Sequence, residues 1–207
     1  MLGAEGVKRA VIARLRTMMP VSLDIRRQLT GATVFDLPEV AHYSPSLVPA
    51  NMDLSRFPLI TVTAEGTNGE LSNQRARVGN IVEEFEFEYT VLVQIHVVVD
   101  SQAGEPQARL QVERMALAVR EALLGDTELD VPGDDQADVV FERWTEEYDA
   151  TPPEEQGAWI ADASLTVPIA TVEHLDRAPY INARQAVLES WDVEQVPTST
   201  AFPPRAA

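Results

Sequence analysis

One stretch of the chain alternates apolar and polar residues over eight periods, between Glu83 and Val99. Aromatic and β-branched side chains fill one set of alternate positions, while glutamates, Thr90, Gln94 and His96 fill most of the other. A period of two is that of a β-strand with one buried side and one side in water. At about 3.3 Å per residue this strand would run on the order of 50 Å, against a usual length of about 5–6 residues. We therefore expect this strand to extend beyond its own compact domain and to pair there with another element, such as one from another subunit.

Two segments have the apolar spacing of amphipathic helices. Residues 5–18 carry apolar side chains three and four positions apart, and Pro20 is expected to end that helix. Residues 106–124 form a clearer stripe, and Gly125 is placed to cap its end. The stripe of this second helix comprises Ala108, Val112, Met115, Ala116, Val119 and Leu123.

Three further segments, at residues 57–63, 139–148 and 159–172, have the composition of β-strands. The resulting order is helix, strand, strand, helix, strand, strand, in which each pair of strands forms an antiparallel hairpin. The predicted fold class is therefore α+β, with an antiparallel or mixed sheet of about four strands and helices packed on one face.

The length of 207 residues fits one domain with extensions. We place that domain at residues 1–175, including an extended, proline-containing segment at residues 20–56. Residues 176–207 are predicted to form a C-terminal extension that is partly irregular. The chain has no run of 18 apolar residues and no signal-peptide pattern, so we expect a soluble protein without a membrane partner.

The net charge and the absence of cysteine disfavour or exclude several classes of function. The formal net charge is −17, and a stable nucleic-acid complex needs Lys and Arg to neutralise phosphates, so a nucleic-acid binder is disfavoured. A strongly negative surface would instead let DNA slide past without binding. The chain has no cysteine, which excludes disulfides, zinc thiolate sites and cysteine nucleophiles.

No catalytic motif is present in the sequence. The three histidines, His42, His96 and His174, lie far apart and lack the spacing of metal ligands. The acidic turn after Gly125 opens like a calcium loop, but Val131 stands where that loop requires glycine, so a solvated acidic turn is favoured. There is also no nucleophile elbow, phosphate-binding loop or dinucleotide fingerprint. We therefore predict no catalytic residue, metal or cofactor, and a protein that is not an enzyme.

The candidate functional residues are those suited to contacts between proteins. Glu84, Glu86 and Glu88 would form a ladder of like charge at steps of about 6–7 Å on the wet side of the long strand. We expect this ladder to face a channel or a subunit boundary rather than to act as an acid–base pair. Two loops, at residues 65–80 and 151–157, are the candidate contact surfaces. Their candidate interface residues are Asn68, Gly69, Arg75, Arg77, Glu154 and Glu155.

Taken together, the chain resembles the tail terminator (tail-completion or neck) proteins of long-tailed bacteriophages. The resemblance lies in the N-terminal helix, the segment Phe57-Pro-Leu-Ile-Thr-Val-Thr and the glycine-bearing loop that follows it. It continues through the run Phe87-Glu-Tyr-Thr-Val-Leu-Val-Gln-Ile-His-Val-Val-Val and a helix ending in Leu123-Leu124-Gly125. It covers about residues 5–175 and is one of architecture and loose pattern, without a single diagnostic motif. The segment at residues 20–56 and the tail after residue 175 depart from a minimal terminator.

The resemblance implies a structural virion protein made in the cytoplasm of a host bacterium. Copies of such a protein would form a hexameric ring that caps the tail tube, stops its polymerisation and joins the tail to the head. The implied partners are further copies of the chain, the tail tube protein and a head-completion or connector protein. DNA would pass through a central channel without specific binding, and no cofactor would be needed. Two alternatives stay open: another head–tail connector or head-completion protein, and a small-molecule-binding or enzymatic α+β domain without a recognisable motif.

Overall fold

A computed structural model describes residues 2–46, 53–68, 82–100, 103–133, 135–151, 158–176, 179 and 183. Within these residues two α-helices, α1 (Gly3–Thr30) and α2 (Gly104–Leu124), pack on a mixed β-sheet. The sheet contains β1 (His42–Ser44), β2 (Leu59–Asn68), β3 (Val82–Asp100), β4 (Gln136–Val139), β5 (Thr145–Thr151) and β6 (Ala158–Asp176). Short 3₁₀ turns lie at Leu54–Arg56 and Phe141–Arg143. The predicted α+β class is confirmed.

The two longest strands, β3 and β6, form the middle of the sheet. They pair antiparallel in continuous register, from Val82 opposite Asp176 to Asp100 opposite Ala158. β2 pairs antiparallel with the other side of β3, and β1 lies parallel to β2 at one edge. Because β3 occupies one side of β6 along its whole length, β4 and β5 lie end to end on the other side.

The long strand predicted between Glu83 and Val99 is confirmed as β3, which has 19 residues. Its alternation is also confirmed, because the odd-numbered positions from Tyr89 to Val97 are almost fully buried and the even-numbered ones are not. The buried side lies beneath the two helices and forms one core with them. The core residues contributed by β3 and β6 are Tyr89, Val91, Val93, Ile95, Val97, Ala161, Ala163, Leu165, Val167 and Ile169.

The second helix matches its prediction closely. It begins at Gly104, two residues before the predicted start, and ends at Leu124. All six positions of the predicted stripe are buried. Gly125 is the residue that follows the last turn, where its backbone N–H donates to the carbonyl oxygen of Glu121 at 2.9 Å.

The prediction that Pro20 ends the first helix is wrong. α1 continues through Pro20 to Thr30 and ends at Gly31, whose φ of 67° is the left-handed conformation that glycine adopts without strain. Pro20 lies on the exposed side of the helix, while Met19 and Leu23 on either side of it are fully buried. Burial of these two side chains compensates for the hydrogen bond that proline cannot make. The first third of the segment predicted as extended, residues 20–56, is therefore helical.

The strand predictions need three corrections. The single strand expected at residues 139–148 is two strands, β4 and β5, because the turn Phe141–Arg143 interrupts it beside β6. β2 runs on to Asn68 and so includes the first residues of the predicted loop at 65–80. β1 was not predicted, since three residues between prolines give no periodic signal. The sheet therefore has six strands instead of about four.

Candidate functional site: assembly surfaces

The side of the sheet away from the core is partly exposed and carries polar side chains, although Leu59 and Thr61 of β2 are fully buried on it. On β3 it carries Glu86, Glu88, Thr90 and Gln94, which are all partly or fully exposed. The facing positions of β6 are mostly small or polar, as the register places Ala170 opposite Glu88 and Ser164 opposite Gln94. Both described helices pack on the opposite side, so the described part of the molecule has two layers. We call this surface the open face.

An acidic groove crosses one end of the open face. It has a volume of about 890 Å³ and is lined by Glu86 and Glu88 of β3 together with Asp138 of β4. Arg143, in the turn between β4 and β5, makes a two-pronged ion pair with the carboxylate of Glu88, with 2.5 Å between Nη1 and Oε1. The arginine therefore offsets one of the negative charges in the groove.

The predicted glutamate ladder lies on the open face in part. Glu86 and Glu88 both line the acidic groove. The backbone of Glu84 pairs with His174 in the same register, and its side chain lies outside the described residues. Whether the ladder faces a channel or a subunit boundary stays a prediction.

Of the predicted interface residues, only Asn68 is described. It is the last residue of β2, it is exposed, and it lines the acidic groove opposite Glu88. The others, Gly69, Arg75, Arg77, Glu154 and Glu155, lie outside the described residues, as does nearly all of the predicted C-terminal extension.

A histidine–aspartate pair lies farther along the open face. His96 of β3 is directly opposite Asp162 of β6, and its Nδ1 is 2.6 Å from an oxygen of that carboxylate. The other ring nitrogen, Nε2, is buried and has no hydrogen-bond partner among the described residues. Nucleophilic catalysis needs a third group hydrogen-bonded to that nitrogen. The pair is a cross-strand contact on the open face.

A buried carboxylate that the sequence analysis missed links α1 to the sheet. Glu173 of β6 points into the core and is fully buried. Its carboxylate accepts hydrogen bonds from the Tyr89 hydroxyl at 2.7 Å and from the backbone N–H of Leu2 at 2.9 Å, at the start of α1. Burial, followed by the hydrogen bond to Glu173, raises the pKa of the Tyr89 hydroxyl well above its usual value. The cluster fixes the position of the helix, since a carboxylate satisfies both the free N–H groups and the dipole of a helix N-terminus.

The two edges of the sheet carry opposite charge. At the β1 edge, α1 contributes Lys8, Arg9 and Arg16 to a groove of about 490 Å³ that is also lined by Pro45. Arg16 lies over the ring of Tyr43 in β1, 5.7 Å from its centroid, which fixes this groove beside β1. We call it the basic groove.

At the opposite edge, β5 has the sequence Thr-Glu-Glu-Tyr-Asp-Ala-Thr and no basic residue. Glu147 and Asp149 are exposed there, and their register with Ser164 and Asp162 places them toward the open face. Glu146 points to the helix side, where Arg120 of α2 pairs with it. We call the exposed part of β5 the acidic edge.

Exposed apolar side chains follow the second half of α1. Val21, Ile25 and Leu29 are spaced four residues apart and are 50%, 45% and 70% exposed. Phe35, just beyond the helix, is 90% exposed. Single exposed apolar residues are common on protein surfaces, but a row of them on one helix is typical of a protein–protein contact.

The described residues contain no cluster of three or more histidine, aspartate or glutamate side chains arranged to hold a metal ion. Among the described helices, none is long and apolar enough to span a membrane.

Comparison with known proteins gave structural neighbours but no family. No protein-family model matches the chain, and no curated protein matches it. Among solved structures, it is similar to a chain in the virion of a native gene transfer agent (GTA) particle, with 15% sequence identity and a TM-score of 0.42. The match covers 84% of this chain and 100% of that chain. Because this TM-score is below 0.5, the function proposed next rests on the chain's own residues.

Proposed function

We propose that this chain is a structural virion protein, a tail terminator of a long-tailed phage or phage-like particle. In this role it forms a hexameric ring that caps the tail tube, stops its polymerisation and joins it to the head. The observation that carries the proposal is the open face: a sheet with two 19-residue strands that has helices on one side and an acidic, polar surface on the other. The resemblance noted in the sequence supplies the specific place in the virion.

A negative open face suits a channel through which DNA moves. Glu86, Glu88 and Asp138 bring three carboxylates together in one groove, where Arg143 pairs with Glu88. Phosphates are repelled by such a surface, so passing DNA has few sites at which to bind. A ring would repeat this groove once per subunit around its opening.

The ring also needs surfaces for unlike neighbours at its two ends. A tube ring exposes loops and strand edges on which the next ring assembles, and a terminator must cover them while presenting a different surface to the head. We assign these contacts to the segments that the sequence predicts as loops, residues 65–80 and 151–157, since loops on a rigid scaffold commonly carry recognition. The exposed apolar row on α1, with Phe35, is a further candidate for contact with a virion protein.

The described structure favours this role over an enzymatic one. The acidic groove has the volume of a ligand site, but seven of its ten lining residues are polar or charged, with Phe87, Ala170 and Val172 as its apolar part, whereas ligand sites are lined mainly by apolar side chains. The His96–Asp162 pair has no described third partner for a catalytic relay. We therefore propose that the protein is not an enzyme and needs no cofactor.

The experiment is to delete the gene and image the particles in the lysate by electron microscopy. A terminator predicts tails of uncontrolled length and full heads without tails, and both defects should be reversed by supplying the gene on a plasmid. Tails of normal length joined to heads would contradict the proposal. Free tails of normal length beside full heads would instead assign the protein to head completion.

A further inference from the structure

The charges of the chain are unevenly divided between the two edges of the sheet. α1 holds six of the 16 basic residues and only two acidic ones, although the whole chain has a net charge of −17. The segment that contains β4 and β5, residues 125–151, holds ten acidic residues and a single basic one, Arg143. Not all of these charges lie at the edges, since Arg14 of α1 pairs with Asp126. In the described sheet β1 is the outer strand on one side, and β4 and β5 share the other side. The basic groove therefore lies at one edge and the acidic edge at the other.

We propose that the acidic edge of one copy docks into the basic groove of the next copy, so that subunits associate head to tail. The occupant of the basic groove is thus β5 of a second copy, with Glu147 and Asp149 facing Lys8, Arg9 and Arg16. This inference rests on the proposed ring, and it adds which surfaces meet in it.

The basic groove is available for such a contact. Arg9 is 76% exposed, and among the described residues its ion pair is with Glu5 on the same helix, an i,i+4 surface pair that contributes little to stability. Lys8 donates to the carbonyl oxygen of Pro45 at 3.4 Å, and no described carboxylate pairs with Lys8 or Arg16. Glu5, Ile12 and Ala13 also line the groove. A carboxylate-bearing strand would therefore meet three cations against one carboxylate, together with some apolar surface.

The acidic edge is equally suited to be the occupant. Among the described residues β5 pairs with β6 alone, so its outer side has no strand partner there, although the backbone N–H of Ala150 donates to the carboxylate of Asp149 at 2.8 Å. An exposed strand of this kind would pair with a like strand unless charge prevented it, and Glu147 and Asp149 repel a second acidic edge. The same charges attract the basic groove. The contact is therefore directed: edge to groove, and never edge to edge.

Head-to-tail contact joins two different surfaces, and such contacts close into rings when the rotation between subunits permits. Because the two surfaces lie at opposite ends of the same sheet, each copy can bind one neighbour on each side. The contact depends on opposite charges at an exposed site, so its strength should fall as the salt concentration rises.

The test is charge reversal, with the oligomeric state measured by sedimentation velocity over a range of protein and salt concentrations. One variant carries Arg9→Glu and Arg16→Glu, and the other carries Glu147→Lys and Asp149→Lys. Each variant should weaken self-association by about tenfold or more at low salt, because like charges then meet across the contact. The control is the exposed pair on α2, Glu105→Lys and Arg109→Glu, which has the same i,i+4 spacing as Glu5 and Arg9 and should leave association unchanged. Far-UV circular dichroism and urea unfolding check that all variants fold.

A mixture of the two reversed variants gives the decisive result. The unchanged acidic edge of one variant complements the unchanged basic groove of the other, and the two reversed surfaces complement each other. The mixture should therefore form assemblies in which the two variants alternate. A ring of six can hold three of each, whereas an odd ring cannot close in this way. The inference is overturned if wild-type protein stays monomeric under all conditions, if either variant associates like wild type, or if folded variants fail to associate when mixed.

The charge-reversal test and the gene deletion can each refute one proposal without refuting the other. Uncontrolled tail length in the deletion, with charge-reversed variants that assemble normally, would refute the edge contact and leave the terminator role standing. Charge-dependent assembly, with normal joined tails in the deletion, would refute the terminator role and leave the edge contact standing.

Discussion

Replacing Glu173 with Gln should lower the free energy of unfolding by about 2–4 kcal/mol, although the two side chains have nearly the same shape. Glu173 is fully buried, and both of its oxygens accept hydrogen bonds, with the backbone N–H of Gly3 shared between them at 3.3 and 3.4 Å. Oε1 accepts from the hydroxyl of Tyr89 at 2.7 Å, and Oε2 accepts from the backbone N–H of Leu2 at 2.9 Å. The side chain of Thr171 donates to Oε1 at 3.3 Å.

The magnitude follows from the loss of one acceptor and of the charge. Glutamine keeps the bonds from Tyr89 and Thr171 if its oxygen takes the place of Oε1. Its amide NH₂ then faces the N–H of Leu2, and two donors meet where a bond had been. An unsatisfied N–H costs about 1–3 kcal/mol, and the remaining bonds lose roughly another 1 kcal/mol when the acceptor is no longer ionised.

The assay is urea unfolding at neutral pH, followed by far-UV circular dichroism, with stability taken from the midpoint and slope. Glu142→Gln is the matched control, because this glutamate is exposed and should change stability by no more than about 0.5 kcal/mol. Tyr89→Phe removes the other partner of the shortest bond. Since Glu173→Gln weakens that bond and Tyr89→Phe removes it, the double variant should lose less than the sum of the single losses, by at least about 0.5 kcal/mol.

Two results would refute this account of the cluster. If Glu173→Gln unfolds at the same urea concentration as wild type, the carboxylate does not hold the start of α1. If the two single losses add fully in the double variant, Tyr89 and Glu173 do not share the hydrogen bond on which the argument rests.

Three further predictions concern the core and the dependence of stability on pH. Val93→Asp should abolish folding, because it buries an unpaired charge at a cost of roughly 4 kcal/mol or more. Val98→Asp, on the open face, should fold. Thermal unfolding distinguishes the two variants, and equal stability would show that the faces of β3 are reversed. Burial raises the pKa of Tyr43 from 10.0 to about 12, so the stability it contributes is present below pH 10 and is lost as the pH rises toward 12. Tyr43→Phe should flatten that alkaline loss in urea unfolding, and an unchanged pH profile would contradict the assignment. Burial raises the pKa of Glu146, but hydrogen bonds from Arg120, Tyr148 and Trp144 outweigh burial and hold that pKa below 4.5. The stability that Glu146 contributes is therefore present above pH 4.5 and is lost as acid protonates the carboxylate. Glu146→Gln should lose less stability than wild type on acidification.

Sequence periodicity was sufficient to predict the elements whose burial is regular. β3 alternates over its whole length because one face meets the helices and the other meets water. α2 shows its stripe because a single side of it contacts β3 and β6. In both elements the pattern follows from contacts that repeat with the period of the backbone, so the sequence alone was enough.

The ends of elements were predicted less well, because they depend on contacts distant in sequence. Pro20 is a local signal to end a helix, and burial of Met19 and Leu23 overrides it. The break between β4 and β5 depends on how this outer strand follows β6, which no local pattern records. Phe87 has the same alternation as Val93, yet only tertiary packing leaves it half-buried near the end of the sheet.

The sequence by itself determined the fold class, the two faces of the long strand and the excess of negative charge, since each of these is set by residue type and spacing. Only the tertiary structure decided where that charge lies. Strand order separates the basic residues of α1 from the acidic residues of β5, because β1 and β5 become opposite edges of one sheet. It also brings Glu173 to the start of α1, across 171 residues of sequence. Both arrangements come from contacts between segments distant in sequence, and such contacts form only when the whole chain folds.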